Sequence, residues 1–203
     1  AEAQIHVAAA EAAMAARENG ASVLILEKAA EEEKGGNSYF TAGGFRFCHS
    51  GIEDAAADVL TDLSDAEREQ IVLPVHDRNT FYDALMKVTH HQSDEDMAWR
   101  LIDGSRPAMV WLKSHRIRFI PMFGRQSFKV EGKHHFYGGV NIEAVGGGAG
   151  LVEMELAEAL RMGMSAAAES QSELEQKLTF ALEQQQQQQQ QQQHVRHRHR
   201  VRQ

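Results

Sequence analysis

The chain has 203 residues, with 21 Lys and Arg against 29 Asp and Glu, and a formal charge of −8; one domain is the expectation at that length. Its 42% apolar content can support a core, while the acidic balance argues against a general nucleic-acid binder. The single cysteine, Cys48, excludes an internal disulfide, no apolar run approaches the roughly 20 residues of a bilayer span, and no secretory signal is visible, so a cytoplasmic location is expected.

The first predicted element is a helix over Ala8 to Asn19, rich in strong helix formers and small on its inner face. Gly20 follows as a left-handed stop, and Val23, Leu24, Ile25 and Leu26 read as a strand buried on both faces. Glu27 ends that strand. A carboxylate at such a tip is placed to hold a ribose hydroxyl, so helix, strand and acid read as the second half of a βαβ dinucleotide unit in an α/β, Rossmann-like fold.

Lys28 to Phe47 is loop chemistry: three acids, the pair Gly35–Gly36, Asn37–Ser38, then Thr41, Ala42, Gly43 and Gly44. Backbone N–H groups of such a loop can approach a phosphate or flavin because its glycines carry no side chain. A surface loop with no ligand is the plain alternative. His49, just beyond, is expected to be solvated, with contact to a ligand as the second reading.

From Gly51 to Lys113 helical periods are expected to break at Pro74 and around Gly104 to Pro107. Phe81, Leu85, Val88, Met97 and Leu101 are spaced as core faces. His90 and His91 are neighbours on a helix, where side chains diverge by about 100°, so a solvated helix end is favoured over a shared metal. A short strand at IRFIPM and a hairpin turning at Glu131–Gly132–Lys133 come next. Arg125, Lys129, Lys133, His134 and His135 crowd that hairpin; they suit either carboxylate recognition or an exposed basic surface. Gly146 to Gly150 open a helix running to Met162. No strand is expected after it. From residue 164 the chain reads as a helical or disordered tail holding ten consecutive glutamines, Gln184 to Gln193, and a His/Arg end.

Four pieces together resemble the FAD-dependent dehydrogenases of the fumarate reductase and succinate dehydrogenase flavoprotein type, nearest the tricarballylate dehydrogenase-like branch. They are AAMAARENGASVLILEK, GGNSYFTAGGFRFCH, WLKSHRIRFIPMFGRQSFKVEGKHHFYGG and EAVGGGAGLVEMELAEAL, in the family's order. The resemblance implies that residues 1–163 are part of an FAD-binding domain, with Glu27 on the adenosine ribose, Lys28 beside it, and Gly36, Asn37, Ser38, Thr41, Ala42, Gly43 and Gly44 along the cofactor. Asn37 stands where the succinate dehydrogenase flavoproteins carry a flavin-linked His, so the resemblance implies non-covalent FAD. The implied chemistry is hydride transfer between FAD and a C–C bond of a small di- or tricarboxylate, with Arg125 a weak substrate-binding candidate and the catalytic residue unknown.

The family's opening Gly-x-Gly falls on Gln4 and His6, so the first strand and phosphate loop are expected to be missing or overwritten, leaving Val23 to Leu26 with an unpaired apolar edge. The capping domain and the groups that grip carboxylates are expected to lie beyond this chain. Two other readings stand beside this one: a 3-ketosteroid dehydrogenase-like fragment, and a non-catalytic protein that self-associates through its glutamine tail.

Overall fold

The structure, a computed structural model, describes residues 7–27 and 34–168. Gln4, His6, Lys28 and the glutamine tail therefore lie outside the described residues. The remainder is a mixed α and β molecule with three small sheets.

Two helix–strand units are built alike. Helix α1 (Val7–Glu18) turns at Gly20, φ 82°, into strand β1 (Leu24–Glu27). The Ala21 N–H donates to the Ala16 carbonyl and the Gly20 N–H to that of Arg17, the paired bonds of a Schellman cap. Helix α8 (Gly147–Arg161) does the same at Gly163, φ 79°, with Met164 donating to Ala159 and Gly163 to Leu160, and leads into strand β8 (Ser165–Ala168). Strands β1 and β8 pair in parallel, Leu24 with Ser165 through Glu27 with Ala168. α1 packs on α8, burying Ala13, Met14, Ala159 and Met164.

β8 corrects one expectation. A strand does follow α8, because the Gly163 turn leads the chain into parallel pairing with β1. β1 is accordingly paired along one edge; among the described residues its sheet has two strands.

The larger core lies to one side. Strand β2 (Gly44–Phe45) and strand β4 (Phe119–Pro121) both pair antiparallel with strand β7 (Ile142–Ala144). Strand β5 (Ser127–Val130) and strand β6 (Lys133–Phe136) form the expected hairpin, with Glu131 at φ 48° and Gly132 at φ 84°, and strand β3 (Ile71–Val72) joins β6 in parallel. Phe47, Val59, Leu60, Ile117, Phe119, Ile142 and Ala144 fill the space between these strands and the helices.

Short helices cover the core: α2 (Gly36–Tyr39), α3 (Ile52–Asp58), α4 (Asp65–Arg68), α5 (Arg78–Val88) and α7 (Phe123–Gln126). The longest is α6 (Glu95–Ser114), started by Asp94, whose carboxylate accepts from the Met97 N–H at 2.8 Å. α6 runs unbroken through Gly104 and Pro107, against expectation. One buried stripe, Ala98, Ile102, Ser105, Met109 and Leu112, holds it to the core across both helix breakers, and Pro107 lies on the exposed side. That stripe is one residue out of step with the expected face, so Met97 and Leu101 point outward, as does Val88 of α5, while Phe81 is buried. Among the described residues no helix is long and apolar enough to cross a membrane.

Candidate functional site

The glycine loop begins at Gly35, whose φ of 101° and buried position against Tyr39 and Val152 suit only glycine. Gly36 to Tyr39 make one helical turn, closed by N–H bonds from Tyr39 to Gly35, Phe40 to Asn37 and Thr41 to Ser38. Thr41 then fastens the loop: its hydroxyl donates to the Ser38 carbonyl at 2.9 Å and accepts from the Gly43 N–H at 3.1 Å. Its carbonyl accepts from the Gly148 N–H of α8 at 3.1 Å, and the Gly43 carbonyl accepts from Ala144 at 2.8 Å.

Gly43 and Gly148 are glycine because backbones meet there. A Cβ on Gly148 would lie 2.1 Å from the Ser38 carbonyl oxygen, and one on Gly43 would lie 2.6 Å from the Gly147 carbonyl carbon. The space beside Gly43 is thus taken by protein. Asn37, Thr41 and Gly44 are exposed on the loop, and Gly36, Ser38 and Ala42 half-buried; the exposed aromatics Tyr39 and Phe40 stand among them.

α1 and β1 run in opposite directions across a short turn, as do α8 and β8. The N-termini of both helices therefore lie toward the end where β1 and β8 finish. Glu27 is the last residue of β1, and the loop is fastened to the start of α8. Arg125 is exposed on α7 and its charge acts on Glu143, which stands opposite Gly44 in the β2–β7 pair. Burial raises the Glu143 carboxyl above its ordinary range and Arg125 opposes that rise.

The other expected residues separate. His90 and His91 stand exposed past α5, both in left-handed conformation. His134 packs edge-on to Phe123 and bonds Ser127, whereas His135 stacks on Phe128 across the hairpin. His49 is a correction: it is 4% exposed, not solvated. Its backbone exchanges hydrogen bonds with that of His76, at 3.0 and 2.9 Å, which carries the ring into the core beside Phe47. Burial, then the neighbouring His76, pushes the His49 ring down to about 4, so it is neutral at pH 7.

Sequence reasoning missed the most unusual acid. Glu155 is 1% exposed and, among the described residues, neither carboxyl oxygen has a hydrogen-bond partner. Burial, reinforced by Glu11 of α1, raises it to about 9, so it is held protonated. The signal was there: Glu155 falls in the i, i+4 stripe of Leu151 and Ala159, a core position. Among the described residues no group of three or more His, Cys, Asp or Glu is placed to hold a metal ion. Neither a protein-family model nor a curated protein matches the chain.

Proposed function

We propose that this chain is the FAD-binding portion of a flavin-dependent oxidoreductase acting on a C–C bond of a small di- or tricarboxylate. One observation carries the reading: the loop at 36–44 is fastened to the N-terminus of α8, at the end toward which the parallel strands β1 and β8 run, with Asn37, Thr41 and Gly44 exposed on it. Ligands of parallel α/β sheets bind at that end of the strands.

The exposed rim of the loop fits a dinucleotide. Asn37, Ser38 and Thr41 offer hydrogen-bonding groups, Gly44 leaves the backbone bare, and Glu27 ends the strand that the adenosine ribose would approach. Gly43 belongs instead to the packing beneath. FAD supplies a hydride acceptor when bound, and Asn37, an amide, holds it without a covalent bond. Arg125 is the candidate to meet a substrate carboxylate.

The test is the visible absorption spectrum of folded protein incubated with FAD, desalted, then acid-precipitated. Retained flavin, released by acid into the supernatant and reduced in Asn37→Ala and Thr41→Ala variants, is the expected result. A folded but colourless protein overturns the reading.

A further inference from the structure

His49 and His76 tie two loops together at the centre of a row of rings. Each backbone N–H donates to the other's carbonyl, at 3.0 and 2.9 Å, an isolated bridge between the run that leaves β2 and the residues that lead into α5. Their rings lie 6.1 Å apart, with Phe47 5.1 Å beyond His49 and Phe81 5.3 Å beyond His76. His49 is 4% exposed and His76 3%. Backbone shuts the second ring in: a Cβ added to Gly139 would lie 2.6 Å from His76 Cε1 and 2.8 Å from Arg46 Nε. The space is filled, so either ring reaches water only if its loop lifts.

The surroundings suit neutral rings. His49 Nδ1 accepts from the Gly51 N–H at 3.3 Å, a bond that needs the unprotonated nitrogen, and His76 Nε2 is enclosed with no partner among the described residues. The charged groups acting on the pair are Arg46 and Asp77 at His76, and Asp54 and Arg106 at His49. Both carboxylates are engaged elsewhere, Asp77 with the Thr80 N–H at 2.8 Å, Asp54 with Arg106 at 2.5 Å and the Ser50 N–H at 2.8 Å. An imidazolium in this row would be buried without a carboxylate to bond it, and a guanidinium acts against each ring.

We propose that the His49–His76 bridge is an acid-opened latch: protonation of the two rings parts residues 46–50 from 75–77 and admits water to Phe47 and Phe81, while the rest of the molecule stays folded. α5 keeps its place on α6, because Arg78 pairs with Asp103 at 2.5 and 2.9 Å and Tyr82 stacks on Trp99. In the opened loops the rings take the ordinary value of 6.5, against about 4 for His49 in the closed form, where burial lowers His76 as well. The open form therefore binds the extra protons. Closure is fully favoured above 6.5 and weakens as pH falls toward the closed-state values, by up to about tenfold per pH unit for each ring. Between pH 7 and pH 5, His49 alone raises the opening constant roughly twentyfold.

Amide hydrogen exchange followed by NMR, expressed as protection relative to a free chain at the same pH, reads the bridge directly, because the His49 and His76 N–H groups are its donors. Protection at these two amides is expected to fall twentyfold or more from pH 7 to pH 5, while that of Ala144 and Met164 falls less than threefold. His76→Phe keeps a ring in the row and removes one share of the fall. Adding His49→Asn, whose amide oxygen replaces Nδ1 as acceptor for Gly51, removes the rest. Where a variant does not fold, ¹⁵N ring signals of the native chain decide: each ring is expected to be neutral while its amide is protected and to gain its proton in step with the loss of protection. Protection that ignores pH, an equal fall at Met164, an undiminished fall in the folded double variant, or a ring that protonates with the bridge closed overturns the proposal.

Discussion

A carboxyl group shut inside a protein without partners must either keep its proton or destabilise the fold. Glu155 keeps it, raised to about 9 from an ordinary value near 4.5. The folded state then holds a proton that the unfolded chain releases, so the favourable contribution is complete below about 4.5 and is lost as pH rises toward 9, at up to about 1.4 kcal/mol per pH unit. Urea denaturation at pH 5 and pH 8.5 should show this loss in the native chain and a much smaller one in Glu155→Gln. Glu155→Leu, which removes the polar atoms, should gain about 1–4 kcal/mol at pH 8. A pH-independent midpoint in the native chain would rule out the protonated carboxyl. The same scale explains Gly148. Alanine there sets a methyl against the Ser38 carbonyl, and a loss of about 1–3 kcal/mol in the same assay is expected.

At the scale of elements, the helix ends carry most of the local logic. α1 and α8 stop at glycines, whereas α5 and α6 stop at His90, φ 52°, and Arg116, φ 65°, in the same left-handed cap position. Those side chains are tolerated at a cost, so His90→Gly should stabilise by roughly 1 kcal/mol. Gly104 is the opposite case. It lies inside α6 with nothing within 4 Å of a new Cβ, and Gly104→Ala should raise stability by about 0.5–1 kcal/mol. Thermal melting of both single variants tests the two signs together; a lower melting temperature in either contradicts its helix assignment.

At the scale of the whole molecule, α1 adds two polar ties to the packing that α8 makes with both cores. Glu18 accepts from the Trp111 indole at 3.0 Å and lies 3.2 Å from His115 Nε2, and the Arg17 Nε donates to the Met162 carbonyl at 3.0 Å. The first ties α1 to α6, the second to the end of α8, just before β8. β8 therefore matters to the smaller unit more than its four residues suggest. A chain ending at Ala168 should unfold cooperatively with a midpoint near that of the full chain. One ending at Met164 loses the partner of β1, and should show a lower midpoint or aggregate. Equal midpoints would mean that β8 contributes nothing, and would return the tail boundary to residue 164.

The features legible before folding are local ones. The Gly20 stop, the strand after it, the Glu131–Gly132 turn and the glycine-led start of α8 were all legible, because each depends on a backbone conformation that one or two residue types favour. The candidate loop was legible as a glycine loop for the same reason. Tertiary structure decided everything that depends on a distant partner. It determined that α6 passes through Pro107 because a continuous buried stripe outweighs one missing hydrogen bond. It determined that Gly43 serves α8, that His49 is drawn inward by pairing with His76, and that Arg46 meets His76 at Gly139. Burial belongs to the neighbours of a residue, and residues 46, 76 and 139 become neighbours only when the chain has folded.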